Sequence, residues 1–158
     1  MSDLKFLKVG DKAPNFTALD QDGKDISSEE FKGKKWVVYF YPKDQTPGCI
    51  AQACNIRDNY NILLNKGISI VGVSADTQKS HLNFILKQQI PFPLIADEDK
   101  TVIKGFGVWG EKKFMGKTYD GIHRTTFLID ENNTIHGIIE KPKTKAHVEE
   151  ILEIFSTT

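Results

Sequence analysis

Lys35-Trp36-Val37-Val38-Tyr39-Phe40 runs directly into Tyr41-Pro42-Lys43-Asp44-Gln45-Thr46-Pro47-Gly48-Cys49. The first six residues form a near-continuous apolar, β-branched and aromatic run. Such a run suits a central strand buried on both faces. Tyr41-Pro42 ends it. Thr46 is a good helix N-cap and Pro47 a good first helical residue, so a helix is expected to open at Pro47. It should run to about Asn65, with Gly67 as its stop and Ile56, Tyr60, Leu63 and Leu64 as its apolar stripe. Cys49 then occupies the third helical position. An N-cap side chain can bond the backbone N–H there, and the free N–H groups and helix dipole favour an anion. That setting favours thiolate over thiol and so a nucleophile.

Outward from this segment, Phe16 to Leu19, Asp22-Gly23 and Lys24 to Ile26 read as an N-terminal β-hairpin. Ser28-Glu29-Glu30-Phe31 is one helical turn ended by Gly33. Ile68 to Ser74 is a second buried strand. Asp76 or Thr77 caps a second helix, whose apolar positions are Leu82, Ile85, Leu86 and Ile90. Pro91 and Pro93 break it. A short strand at Pro93-Leu94-Ile95, a helical stretch around Thr101 to Ile103, a hairpin of 123–129 with 134–139, and a helix over 145–155 follow. Residues 105–122 read as a long irregular loop, the kind that is usually functional or mobile. The order β-α-β-α-β-β-α predicts an α/β, thioredoxin-like fold: a central mixed β-sheet flanked by helices, with an N-terminal β-hairpin. No linker or repeat divides the chain, so one domain spanning 1–158 is expected.

The bulk numbers narrow the function. Lys plus Arg and Asp plus Glu both count 21, so the formal net charge is zero. Nucleic-acid binding, which needs a basic excess or stripe, is not expected. No apolar stretch follows Met1-Ser2-Asp3-Leu4 and none is long enough to span a bilayer, so no membrane association and a cytoplasmic location are expected. The 2 cysteines, Cys49 and Cys54, are too few for a disulfide framework. No histidine lies near them to complete a zinc site. Two buried structural thiols and a redox pair remain level readings on count alone.

Pro42-x-x-x-Thr46-x-x-Cys49 resembles the active-site motif of peroxiredoxins. The longer stretch from Phe40 through Ala53-Cys54 resembles their Q-type subfamily, also called bacterioferritin comigratory protein. GFGVWGEKKFMGKTYDGIHRTTFLID, residues 105–130, and Gly10 to Phe16 are similar to that subfamily too. The resemblance implies a thiol peroxidase that reduces hydrogen peroxide and organic hydroperoxides. Cys49 would be the peroxidatic cysteine, with Thr46 bonding peroxide and thiolate and Pro42 shielding the pocket. Arg124 matches the active-site arginine, whose guanidinium stabilises thiolate and receives developing oxyanion charge. Gly48 leaves room beside the sulfur, so Gly48, Thr46, Cys49 and Arg124 would bind substrate. Gln52 and Ile50 depart from residues common in the subfamily and bear on tuning. No cofactor or metal is expected. Thioredoxin or a similar dithiol is the expected reductant, and a monomer, or at most a weak dimer, the expected state.

Cys54 matches the subfamily's resolving position. On an intact helix its Cα would lie roughly 8–9 Å from that of Cys49, beyond disulfide reach. Pairing would therefore require the first turns of the helix to unwind. A one-cysteine cycle completed by an outside thiol is the alternative. Two other readings compete. Gly105-Phe106-Gly107-Val108-Trp109-Gly110 spells a dinucleotide-binding G-x-G-x-x-G, but lacks the strand before and helix after it. A thioredoxin-type oxidoreductase would carry Cys-x-x-Cys instead of this wider spacing.

Overall fold

The protein is described by a computed structural model covering residues 7–156; the Met1-to-Leu4 opening lies outside the described residues. The N-terminal hairpin forms from β1 (Thr17–Leu19) and β2 (Asp25–Ser27). A 3-10 turn at Ser28–Phe31 follows, closed by a capping box between Ser27 and Glu30. Next come β3 (Lys35–Phe40), α1 (Pro47–Asp58), α2 (Tyr60–Asn65), β4 (Ile68–Ser74), α3 (Gln78–Gln88), β5 (Leu94–Ala96) and α4 (Thr101–Gly105). The chain finishes with β6 (Trp109–Phe114), β7 (Lys117–Ile122), β8 (Thr125–Ile129), β9 (Ile135–Glu140) and α5 (His147–Ser156). Among the described residues, no helix is long and apolar enough to cross a membrane.

Five strands make the central sheet, in the order β5-β4-β3-β8-β9. β3, β4 and β5 run parallel, while β8 is antiparallel to both β3 and β9. This is the expected mixed sheet of a thioredoxin-like fold. The run at 35–40 is apolar throughout because both its faces are covered. Val37 and Tyr39 enter one core with Cys49, Ile56, Phe84 and Ile151. Trp36, Val38 and Phe40 enter the other with Val71, Ile103, Phe106 and Phe127. One register matters most for the site. Phe40 at the end of β3 pairs with Thr125 at the start of β8. The antiparallel pairing therefore brings residue 124 to the end of the sheet where α1 begins.

Three expectations need correction. The single helix over 47–65 is two helices broken at Asn59 (φ −117°, ψ 15°). Asn59 Nδ2 donates to the Asn55 carbonyl at 2.8 Å, the acceptor that the next helical turn would use. Leu64, assigned to the buried stripe, is exposed, as are Leu82 and Leu86 in α3. The inner face of α3 is set instead by His81 and Phe84. Residues 105–122 are not an irregular loop, because most of them form the antiparallel β6–β7 ribbon. Met115 and Gly116 turn it with φ of 51° and 80°, the pair of left-handed residues that a tight two-residue hairpin requires. The ribbon stands off the core, so its strands lack an apolar alternation. The G-x-G-x-x-G stretch passes from α4 into β6, not from strand into helix, and is not a dinucleotide loop.

α1 is secured mainly through its second half. Asn55 Nδ2 donates to the Lys145 carbonyl at 3.0 Å, and Asn55 Oδ1 accepts from Val148 N–H at 2.8 Å, where α5 begins. Arg57 Nη1 donates to the Gln88 carbonyl at the end of α3, at 2.6 Å. α5 itself docks through buried His147, whose Nε2 lies 2.9 Å from Thr126 Oγ1 and Nδ1 3.2 Å from Glu150 Oε1.

Two outcomes follow from this packing. A Cβ at Gly72 would lie 2.8 Å from Leu94 Cδ2 and 2.9 Å from Tyr39 Cζ. Gly72→Ala should therefore cost about 1–3 kcal/mol of stability in urea titration; an unchanged midpoint would contradict this packing. Burial lowers the pKa of His147 from its ordinary value, against an opposing pull from Glu150. The unfolded chain takes up that proton near about pH 6.5, and the native chain resists it. Stability should thus fall as pH drops through that value. The thermal midpoint should fall less steeply in His147→Asn than in wild type between about pH 7.5 and 5.5.

Candidate active site

The site forms where β3 hands over to α1. Tyr41, Asp44 and the left-handed Gln45 (φ 63°) turn the chain off the sheet. Thr46 takes the extended N-cap conformation (φ −90°, ψ 151°), and Pro47 opens α1 as expected. Thr46 does not cap with its side chain, however. Its hydroxyl donates to the Lys43 carbonyl at 2.8 Å instead of accepting from the N–H of Cys49. That bond uses the hydroxyl proton on the loop and leaves the oxygen's lone pairs available. Pro42, just past the end of β3, is exposed.

Cys49 is the third residue of α1 and only 2% exposed. Arg124 Nη2 donates to its sulfur at 3.3 Å. The guanidinium crosses from the start of β8, and Gly48 makes the crossing possible. A Cβ at position 48 would sit 3.2 Å from Arg124 Nη2. The room beside the sulfur that the sequence assigned to substrate is thus first occupied by the arginine. Cys49, Thr46, Gly48 and Arg124 are brought together at one helix start.

Cys54 is half-buried, and its thiol contacts Gln88 Oε1 at 3.6 Å. Both cysteines are free thiols on the same unbroken helix. The helical offset of five residues therefore stands, with the two Cα atoms roughly 8–9 Å apart.

Two residues were missed as parts of the site. Gln52 is fully buried, and its Oε1 accepts from Arg124 Nη1 at 2.7 Å. Its spacing of three from Cys49, which puts both on one helix face, was the available signal. Asp44 is the other. Its carboxylate accepts from Tyr41 Oη at 2.6 Å and Ser80 Oγ at 2.9 Å, and faces His81 Nδ1 at 2.7 Å. Its N–H donates to Asp76 Oδ2, which also accepts from Ser74 Oγ. His81 Nε2 faces the Ile95 carbonyl at 2.8 Å, so that nitrogen carries a proton. The ligand-type atoms of Asp44, Asp76 and His81 lie within 4.8 Å of one another. Each is already engaged in hydrogen bonds. The cluster acts as a lock that ties the loop before α1 to β4 and α3.

The electrostatic surroundings are mixed. Burial, then the charge of Cys49, pushes the Tyr39 phenol well above its ordinary range, so it stays neutral beneath α1. Burial and then the nearby Arg124 lower the pKa of Lys112, whose Nζ donates to the Ile122 carbonyl at 2.9 Å. An apolar cavity of about 460 Å³, walled by Phe106, Val108, Phe127 and Ile138, borders Arg124 and Lys112 but not Cys49.

This arrangement has close counterparts. The AhpC/TSA family pattern matches residues 9–138. A putative peroxiredoxin Bcp of Haemophilus influenzae is 49% identical over 147 residues, covering 93% of this chain and 95% of that one. Peroxiredoxin Bcp of Escherichia coli K12 is 47% identical over 146 residues, covering 92% and 94%. Among solved structures, a Xanthomonas campestris bacterioferritin comigratory protein, studied for its alkyl peroxide reduction activity, superposes with a TM-score of 0.83 at 32% identity. It covers 89% of this chain and 90% of that one. Peroxidoxin BcpB from Mycobacterium tuberculosis gives a TM-score of 0.84 at 29% identity, covering 97% and 99%. With a cysteine at a helix start under an arginine fork, and with relatives this similar over nearly its whole length, the chain belongs to the AhpC/TSA family and is a thiol peroxidase of its Bcp, or Q-type, peroxiredoxins.

Proposed function

We propose that Cys49 is the attacking thiol, that Cys54 resolves it, and that a dithiol protein of the thioredoxin type restores both. The contact from Arg124 Nη2 to Cys49 Sγ, at 3.3 Å, carries this reading. It places a permanent cation against the one thiol that sits in the first turn of a helix. Both features favour thiolate. The thiolate attacks one peroxide oxygen, an S–O bond forms, and the O–O bond breaks. The departing oxygen leaves as alkoxide or hydroxide and takes a proton to become alcohol or water. Arg124 receives its developing charge, and the free lone pairs of Thr46 Oγ1 accept from the peroxide hydroxyl. Gly48 keeps the approach open, and Pro42 stands at its edge. Cys49 is left as a sulfenic acid.

Cys54 thiolate then attacks that sulfur and expels hydroxide, which takes a proton to become water, leaving a Cys49–Cys54 disulfide. The helix between them must unwind for the sulfurs to meet. Reduction by an external dithiol proceeds by thiol–disulfide exchange and returns both thiols. Hydrogen peroxide and organic hydroperoxides are the proposed substrates, supported for the organic class by the activity studied in the Xanthomonas relative. The cycle needs one chain, and the proposed setting is the cytoplasm.

Thioredoxin-coupled peroxide consumption should vanish in Cys49→Ser, by 10³-fold or more on the order expected for a lost nucleophile. In Cys54→Ser it should stall at the sulfenic acid. The oxidised wild type should show an intramolecular Cys49–Cys54 disulfide by mass spectrometry; its absence would overturn the resolving role. Arg124→Lys keeps a charge but loses the fork, and turnover should fall about 10²-fold with the fold intact by circular dichroism.

A further inference from the structure

Most of the β6–β7 ribbon has the polar, charged composition that water selects, but its apex does not. Phe114 is 66% exposed and Met115 85%. Single exposed apolar side chains are ordinary on a protein surface. Two in succession at the tip of a hairpin that stands off the core call for a reason. The turn itself would choose otherwise. Met115 has φ 51° and opens a two-residue turn that glycine, asparagine or aspartate occupies with less strain. Methionine here serves neither the core nor the turn.

Charge is layered behind this apex. Lys117 pairs with Phe114 across the ribbon, and Lys113 pairs with Thr118 one step back. Successive strand residues alternate faces, so Lys113 and Lys117 lie on opposite faces and flank the apex from both sides. Neither has an ion-pair partner among the described residues. Tyr119, half-exposed, comes next, opposite Lys112. Lys112 takes no part in the collar, because its Nζ turns in to the Ile122 carbonyl. Glu111 and Asp120 stand last, opposite each other, three residues from Phe114 and roughly 10 Å back along the ribbon. The order from the tip is apolar, cationic, aromatic, then acidic. That order matches the depth profile of an anionic bilayer surface, where apolar groups insert, lysines meet headgroups and acids are kept away. A protein partner is served less well. A stable interface buries about 800 Å² on each side, far more than a two-residue tip approached end-on can offer.

We propose that the Phe114–Met115 apex docks the protein reversibly on an anionic lipid surface, with Lys113 and Lys117 against the headgroups. The contact lies on the membrane without spanning it, so the lack of a long apolar stretch in the sequence does not exclude it. It is independent of which thiol attacks peroxide, because binding is read without turnover. Reduced wild type is sedimented with vesicles of phosphatidylglycerol and phosphatidylcholine in equal parts, and with phosphatidylcholine alone, at low and high salt. Wild type should partition onto the anionic vesicles, weakly onto the neutral ones, and less as salt rises. Phe114→Ser/Met115→Asn and Lys113→Gln/Lys117→Gln should each weaken that partition about tenfold or more, at roughly fivefold per lysine in the second. Both should keep wild-type turnover of hydrogen peroxide in solution. Met115→Asn alone should melt at or above the wild-type temperature, since asparagine suits the turn better; a lower one would give methionine a folding role and count against the proposal. Three further results would overturn it: no partition of wild type onto anionic vesicles, equal partition onto neutral ones, or wild-type binding by the apex variant. An apex-dependent dimer in sedimentation velocity without vesicle binding would assign the tip to a second copy and overturn it as well.

Discussion

A guanidinium from the start of β8 meets a sulfur in the first turn of α1, at 3.3 Å and 75 residues apart in sequence. Most of the fold's distinctive features serve that meeting. β3 must be central, so that β8 can pair with it and begin beside its exit. Position 48 must lack a side chain, because Arg124 lies where a Cβ would press. Gln45 must turn left-handed to aim the helix. The Asp44–His81 lock holds the loop behind it against β4 and α3. Each of these is a local cost or restriction, and none is needed to make a sheet with helices on it.

The same helix has two requirements that pull against each other. It must be formed for its N-terminus and Arg124 to favour a thiolate at Cys49. Under the proposed cycle it must also come apart before Cys54 can reach that sulfur. The structure divides these duties along its length. The first turns are held by Arg124, through Cys49 and Gln52, and so by contacts to the reacting group itself. The later turns are held elsewhere, by Asn55 on α5 and Arg57 on α3. In that proposed cycle, oxidation of Cys49 would replace the thiolate that faces Arg124, and so would weaken only the first set.

The sequence exposed those parts of the molecule governed by local rules. The β3 run, the Pro47 helix start and the ladder of later strands are visible as patterns of burial and capping. Cys49, Thr46 and Arg124 were legible because a motif carries them, and the structure brings all three together. What was not legible depends on partners distant in sequence. Gln52 reads only as a departure that bears on tuning until Arg124 arrives from 72 residues away. Asp44 reads as a loop residue until α3 supplies Ser80 and His81. The β6–β7 ribbon was missed for the opposite reason. It packs so little of itself that solvent, not a core, sets its composition, and only the backbone of Met115-Gly116 betrays the turn. The Thr46 cap failed because its hydroxyl found a closer acceptor in its own loop.

The Asn55 clamp has a further meaning for how quickly the molecule could recover between turnovers. With the Asp44 lock upstream and Asn55 downstream, the segment that the proposed cycle unwinds is a short span tethered at both ends. Little chain entropy is released when it opens, and little must be surrendered when it closes. The clamped later turns also persist as a template. Starting a helix is the slow, unfavourable event, whereas extending one is easy. Once the proposed disulfide is cut, the opening turns need only grow backward from Asn55, residue by residue, until Pro47 and Cys49 are again beneath the arginine.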